Sequence, residues 1–255
     1  MDAPASKETK QHALFLDFDG TLADIAPTPD AVRVEPGLPH TLDALRARLG
    51  GALAIVSGRR IESLDAFFAP LVFDAAGLHG LEIRANGRML ERPASDHGAL
   101  RAAATSLRKR LVAWPGAFVE DKQHTLAVHW RLAPQAGPAL ADVMEEIVAT
   151  LGAGWRLQAG KAVAEILPAW ADKGAAVETL LNAPAYRGRT PVFFGDDMTD
   201  EDAIRIVNAR GGLSVNVGLR PSAAAFRLPD PAAARALLAR WAQDDASDFA
   251  ADLRG

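Results

Sequence analysis

Two aspartates, Asp17 and Asp19, stand one residue apart where the apolar run from Ala13 to Leu16 gives way to Gly20-Thr21-Leu22. In an open α/β sheet, the carboxyl end of a strand is where ligands bind. Carboxylates at alternate positions share one face of a strand end unless the chain bends. Placing like charges together raises the cost of ionising both, and a bound cation removes that penalty. One carboxylate could then attack an electrophile while the other moves protons. A surface strand end with a local turn would explain the pair by itself, but three further segments repeat the design. Thr190-Pro-Val-Phe-Phe leads into Gly195-Asp196-Asp197 and then Asp200-Glu201-Asp202. Acids in a first helical turn are ordinary, which accounts for Glu201 and Asp202. It accounts less well for Asp196 and Asp197, which directly end an apolar strand. Ile55-Val56 runs into Ser57-Gly58-Arg59, and Asp172-Lys173-Gly174 opens a helical pattern. A lysine at a helix start works against the helix dipole, so chemistry explains Lys173 better than exposure does. Carboxylates, a hydroxyl and an ammonium, each after a strand or at a helix start, point to one shared site.

The elements that must carry these residues alternate. Leu14–Phe18 and Ala52–Val56 read as strands, with a helix between them marked by Leu38, Leu42, Leu45 and Leu49 and stopped at Gly50-Gly51. Lys173–Leu181 reads as helix, Val192–Phe194 as strand, Ile204–Val207 as helix and Leu213–Val217 as strand. Asp230-Pro231 caps a helix running through Trp241. Such alternation implies a parallel sheet with helices on both faces. The middle differs. Helices marked by Leu100–Leu111 and Leu140–Leu151 are mixed with strand-like stretches Ala117–Glu120, Leu126–Arg131, Trp155–Gln158 and Ala162–Leu167. This is a small α+β unit inserted into the first.

With 255 residues, the chain can bury a sizeable core in one large domain or two. No stretch approaches the roughly 18 consecutive apolar residues that span a bilayer, and Met1–Lys10 lacks the apolar stretch of a secretory signal. The absence of cysteine excludes disulfides and cysteine-held metals, and fits a cytoplasmic setting. A net charge of −4 gives no electrostatic footprint for nucleic acid. The run Arg108-Lys109-Arg110 reads as a solvated helix face, the five tryptophans as core, and Asp244–Asp248 as a disordered tail.

In order along the chain, Asp17-Phe-Asp19-Gly-Thr, Ser57, Lys173 and Gly195-Asp196-Asp197 with Asp200 make the sequence similar to the haloacid dehalogenase-like phosphohydrolases. Within that superfamily it resembles the trehalose-6-phosphate phosphatases. The residues carrying this are Gly77-Leu-His79-Gly80-Leu-Glu82, Val119-Glu120-Asp-Lys122, Val128-His129-Trp-Arg131, Gly160-Lys161 through Glu165-Ile-Leu-Pro168, and Gly195–Asp202. The resemblance implies an α/β, doubly wound parallel-sheet (Rossmann-like) core at 1–93 and 169–255, and an inserted α+β cap over the active site at 94–168. It implies a Mg2+-dependent phosphatase. Asp17 is then the nucleophile that forms an aspartyl-phosphate, and Asp19 the acid–base. Asp17 and Asp196 give side-chain oxygens to the metal and Asp19 its backbone carbonyl. Asp197 and Asp200 fix waters or position Lys173. Ser57 and the amides near Gly20 hold phosphoryl oxygens, and Lys173 offsets charge. Thr21 supports the turn or touches phosphate; Arg59 contacts substrate or braces the loop.

Selectivity is expected in the cap, since the core reads only phosphate and metal. Glu120, Lys122, Lys161 and Glu165 are the expected sugar contacts on its strand-like segments, with His79 facing the cleft or supporting the Gly77–Gly80 turn. His129 and Arg131 rank lower and pair across the cap sheet. The implied substrate is trehalose 6-phosphate, with sucrose 6-phosphate and mannosyl-3-phosphoglycerate as alternatives and a non-catalytic sugar-phosphate sensor as a different class. The resemblance also raises functional coupling to a trehalose-6-phosphate synthase.

Overall fold

The structure, a computed structural model, describes residues 12–93, 97–244 and 248–254. Its chain order is β1 (His12–Leu16), α1 (Leu38–Arg48), β2 (Leu53–Val56), α2 (Ile61–Phe68), β3 (Asp74–Gly77), β4 (Glu82–Ala85) and β5 (Arg88–Met89). Then follow α3 (His97–Leu111), β6 (Phe118–Asp121), β7 (Leu126–His129), α4 (Gly137–Leu151), β8 (Trp155–Gly160) and β9 (Val163–Pro168). The chain closes with α5 (Lys173–Leu181), β10 (Thr190–Gly195), α6 (Glu201–Ala209), β11 (Leu213–Val217), β12 (Phe226–Leu228), α7 (Pro231–Gln243) and α8 (Phe249–Arg254). Two compact units result, one of residues 1–25, 32–91 and 172–255, the other of 26–31 and 92–171. Of the acidic run Asp244–Asp248, residues 245–247 lie outside the described residues, as do 1–11, so the expected disorder of that run and the reading of Met1–Lys10 fall outside them.

The first unit is built on an eight-stranded sheet in the order β12-β11-β10-β1-β2-β3-β4-β5. From β12 to β3 every pairing is parallel. Strands of a parallel sheet are covered on both faces, so they read as unbroken apolar runs instead of alternating. Ala13, Leu14, Phe15 and Leu16 of β1 are accordingly all buried, as are Leu53–Val56 of β2 and Val192–Phe194 of β10. The expected parallel sheet is extended at one edge by β4 and β5, which run antiparallel. The link from Gly77 to Glu82 is a tight turn, too short for the crossover that parallel strands need.

The strand order also fixes where a site can form. From β1, the chain moves to β2 and β3 on one side and later fills the other side with β10, β11 and β12. The sheet order therefore reverses between β1 and β10, and the crevice at their carboxyl ends is the expected ligand site. Leu16 pairs with Phe194 in that register, so Asp17 and Gly195-Asp196 leave the sheet side by side. Strand β1 ends at Leu16, earlier than the sequence suggests. The Phe18 carbonyl turns inward to accept the N–H groups of Leu22 and Ala23 at 3.0 and 2.9 Å, which bends the chain between the two aspartates.

The second unit carries a four-stranded antiparallel sheet in the order β6-β7-β9-β8. Cross-strand partners share a face. Val119, Leu126, Val128, Ala164, Ile166 and Leu157 pack with Leu100, Leu107, Leu140 and Met144 of α3 and α4 in one apolar core. The opposite face holds the register row Glu120, Ala127, Glu165, Gln158. Trp114, Trp130 and Trp155 pack against the apolar core, and Trp241 is fully buried in the first unit. Trp170 departs from the core expectation: it is exposed, with the Arg92 guanidinium 5.1 Å from its ring centroid. Among the described residues, no helix is long and apolar enough to cross a membrane.

Candidate active site

Asp17, Asp196 and Asp200 converge at the carboxyl ends of β1 and β10, each offering an oxygen within 4.8 Å of the others, and all three are buried. Lys173, the first residue of α5, lies among them. Its ammonium donates to Asp17 Oδ1 and to Asp200 Oδ1 at 2.6 Å each. The Asp172 side chain caps this helix by accepting the Ala175 N–H at 2.7 Å, which sets the direction in which α5 starts. Burial alone would push the Lys173 ammonium down. The charges of Asp17 and Asp200 and their hydrogen bonds outweigh it, so its pKa lies above the ordinary lysine value. Three carboxylates against one ammonium leave an excess of negative charge. Burial, then the charges of Asp200 and Asp196, push the Asp17 carboxyl well above its ordinary value, with Lys173 opposing them. A site with this imbalance suits a divalent cation with oxygen ligands.

Asp200 plays a larger part than sequence suggests. Its Oδ2 accepts the backbone N–H groups of both Asp196 and Asp197 at 2.9 Å, while its Oδ1 holds Lys173. Asp197 faces away and caps the short 3-10 turn Met198–Asp200 through the Met198 N–H at 2.8 Å. Two glycines make the close approaches possible. Gly20 has φ +86°, and a Cβ there would collide with the Asp196 carboxylate. A Cβ on Gly195 would collide with the Asp200 carboxyl group. Gly20→Ala is therefore expected to displace Asp196 and lower kcat/KM by about 100-fold, the cost of a misplacement near 1 Å. Steady-state kinetics check this.

The bend after Asp17 separates the two aspartates of the first motif. Asp19 turns towards Arg59, whose Nε and Nη2 donate to its two carboxylate oxygens at 2.7 and 2.8 Å. The guanidinium also lies 5.4 and 5.1 Å from the ring centroids of Phe18 and Phe67. Arg59 thus holds the Asp19 carboxylate from both oxygens. Ser57 is buried, and its Oγ accepts the Arg59 N–H at 3.1 Å. His79 is buried with φ +55° and ψ +32°, between Leu78 at φ +50° and Gly80 at φ +96°. Its N–H donates to the Ser57 carbonyl at 3.1 Å, and a Cβ on Gly58 would meet its Nε2 at 2.6 Å. Non-glycine residues in that conformation carry strain that persists where a site requires it. Thr21 is fully buried, and its hydroxyl has no hydrogen-bond partner among the described residues.

A trehalose-phosphatase family model matches residues 15–232. The chain belongs to the trehalose-phosphatase family. It is 42% identical to a probable trehalose-phosphate phosphatase of Sinorhizobium fredii, over 93% of this chain and 90% of that one. It is 40% identical to a trehalose-6-phosphate phosphatase of Escherichia coli, over 86% of this chain and 82% of that one. The solved C-terminal domain of Candida albicans trehalose-6-phosphate phosphatase superposes with a TM-score of 0.83 at 25% identity, covering 92% of this chain and 93% of that one. The family is one of phosphoric monoester hydrolases, and its haloacid dehalogenase-like α/β fold is the one seen here.

For a trehalose-phosphatase, the polar face of the second unit is the other group of interest. Lys122 Nζ donates to Glu165 Oε2 at 2.9 Å, and the fully buried Thr125 hydroxyl donates to Glu165 Oε1. Glu120 Oε2 pairs with His129 Nε2 at 2.7 Å, and the His129 ring stacks on Phe118. Burial pushes the Glu120 carboxyl up, but His129 and Lys122 outweigh it and hold the group below its ordinary value. Lys161 differs from its expected strand position: it is exposed on the turn between β8 and β9, where its carbonyl accepts from Arg131 at 3.0 Å. Arg131 also donates to the Ala26 carbonyl. It acts as a brace within its unit and does not pair across the sheet.

Two residues, one in each unit, escape a reading of the sequence. Thr125 sits just before β7, outside the paired strands, and only its hydrogen bond in the structure shows that it meets Glu165. Arg220 lies more than twenty residues beyond Asp196, yet donates to the Asp196 carbonyl from Nε at 3.1 Å and to the Asp197 carbonyl from Nη2 at 2.9 Å. A usable signal existed for Arg220. It follows β11, the parallel neighbour of β10, so both loops leave the sheet at the same edge.

Proposed function

We propose that the protein hydrolyses trehalose 6-phosphate to trehalose and phosphate with Mg2+. The observation that carries this is the buried group of Asp17, Asp196 and Asp200 around Lys173 at the crevice of a trehalose-phosphatase fold. Both oxygens of Asp200 already accept hydrogen bonds, so the cation falls to the carboxylates of Asp17 and Asp196, with the Asp19 carbonyl beside them. Bound there, Mg2+ supplies the charge that lets an anionic phosphate approach a carboxylate.

Asp17 attacks phosphorus, forming an acyl phosphate as the bond to the sugar oxygen breaks. Asp19 gives that oxygen its proton, then takes one from the water that attacks phosphorus and returns Asp17 as the leaving carboxylate. The Arg59 pair favours the ionised Asp19, the form that takes a proton from water, and opposes the protonated form that the first transfer uses. Ser57 and the amides around Gly20 hold phosphoryl oxygens, and the unpartnered Thr21 hydroxyl supports its reading as a further donor. Lys173 opposes the protonation of Asp17 and aims it, with Asp200 and Asp197 fixing the loop that carries Asp196.

The polar face of the second unit reads the sugar. Glu120, Lys122 and Glu165 present acceptors and a cation on one side of the sheet, the groups that hydroxyls bind best; Lys161 and His79 complete the proposed contacts. The chemical setting is cytoplasmic, and a trehalose-6-phosphate synthase is the activity that would supply the substrate.

Phosphate release from a panel of sugar phosphates, with Mg2+ and with chelator, tests the substrate. Preference for trehalose 6-phosphate is expected; preference for sucrose 6-phosphate or mannosyl-3-phosphoglycerate would overturn it. Glu165→Ala should lower kcat/KM for trehalose 6-phosphate by roughly 10⁴-fold if its bonds to the sugar are reproduced by nothing else. Hydrolysis of p-nitrophenyl phosphate should change little. Equal losses on both substrates would remove Glu165 from sugar recognition.

A further inference from the structure

The segment that carries Asp196 has its main chain held from two sides. Asp200 Oδ2 takes the N–H groups of Asp196 and Asp197, and the Arg220 guanidinium takes their two carbonyls. Two side chains thus satisfy four consecutive backbone groups and leave the loop little freedom to turn. Arg220 is itself held. Its Nη2 pairs with the Glu201 carboxylate, whose other oxygen accepts the Ala223 N–H at 3.1 Å. Arg227 fastens the same loop by donating to the Gly218 and Arg220 carbonyls at 2.6 and 2.8 Å.

We propose that Arg220, braced by Glu201, is a positioning residue that sets the affinity of the Asp196 loop for the divalent cation, an inference that rests on the metal-dependent reading above. A ligand whose backbone is fixed beforehand loses little freedom when the cation binds, whereas a loose one must be ordered at that moment. A guanidinium this close to a cation site would also repel the cation. Glu201 cancels that charge: the pair is mostly buried, with side-chain exposures of 22% and 15%. Burial pushes Glu201 up, but its bonds to Ser222, Ala223 and Arg220 outweigh it and hold the carboxyl below its ordinary value. The clamp therefore contributes geometry without adding net positive charge.

Titration calorimetry with Mg2+ alone, without substrate, tests this on wild type, Arg220→Ala and Arg220→Lys. Arg220→Ala should bind Mg2+ about 10- to 100-fold more weakly, the usual cost of removing a group that orients a metal ligand. Arg220→Lys, which reaches one carbonyl only, should lie between and serves if the alanine variant fails to fold. At saturating Mg2+, kcat should fall far less than affinity does. Wild-type affinity in both variants would overturn the proposal, as would a loss of kcat at saturating Mg2+ as large as the loss of affinity. Failure of the wild type itself to bind Mg2+ would instead remove the metal-dependent reading, and the inference with it.

Discussion

Lys173→Met is expected to lower phosphate release by about 10³-fold or more and to destabilise the metal-free protein by roughly 3–5 kcal/mol. The lysine is buried and its ammonium touches two carboxylates at 2.6 Å, so its removal leaves both without their shared partner. Breaking one side of a buried pair costs more than the pair contributes, because the remaining charge stays desolvated. Two carboxylates lose their partner here, so the upper end of that range is the better expectation. Mg2+ supplies positive charge to the same cluster and should recover much of the lost stability, while activity stays low because the aim of Asp17 is gone. Denaturant melts in chelator and in Mg2+, alongside steady-state phosphate release, check both parts. A variant that melts like the wild type in chelator would mean that the Asp17–Lys173–Asp200 cluster carries no such charge imbalance.

Asp17→Asn should abolish turnover, by a factor on the order of 10⁴ or more, and yet melt higher than wild type in chelator at neutral pH. Burial and the neighbouring Asp200 and Asp196 raise the Asp17 carboxyl well above the ordinary 3.8. A carboxyl raised on folding holds its proton better in the native state than in the unfolded one. The stability this provides is fully present below about 3.8 and is lost as pH climbs through the raised value. Lys173 adds no slope in that range, since its shift lies above 10.5. In chelator the wild type should therefore lose stability as pH rises from the ordinary carboxylate range through the raised value, and Mg2+ should raise its melting temperature more at the upper end of that span than at the lower. Asparagine cannot ionise, so the variant should lose most of this slope. Each 1 kcal/mol corresponds to about 2–4 °C in a chain of this size. Parallel curves for wild type and variant would contradict the assignment of the charge imbalance to Asp17.

The convergence of Asp17, Lys173 and Asp196 was legible in the sequence because parallel strands announce themselves. β1, β2 and β10 are apolar without alternation, and the residues that follow each are polar out of keeping with a core. Lys173 was legible for a related reason, as a cation at the start of a helix. What local sequence could not supply was the path of the chain after each strand. Nothing in Asp17-Phe-Asp19 states that Phe18 folds its carbonyl back and sends Asp19 to Arg59. Asp200 was expected to position Lys173, but its hold on the Asp196 and Asp197 N–H groups was hidden, since it depends on Gly195 letting its carboxyl group approach the backbone. The antiparallel edge begun by β4 follows from a four-residue connection after β3 rather than from the strands' own composition. In the second unit, the pairing of Lys122, which follows β6, with Glu165 across forty-three positions is set by the registers of β6 with β7 and of β7 with β9, which short strands do not encode alone. Arg220 lies furthest from local reading, because its partners are carbonyls on a neighbouring loop.

The central claim is that Asp17 becomes phosphorylated on the way to free phosphate. Trehalose 6-phosphate carrying a radiolabelled phosphoryl group would be mixed with excess enzyme and Mg2+, and the reaction quenched in acid at successive short times. The account predicts label that stays with the denatured protein early, maps to the peptide containing Asp17, is released by hydroxylamine as an acyl phosphate should be, and is absent from Asp17→Asn. Label appearing only as free phosphate at every time, with none on the protein while turnover proceeds, would contradict it.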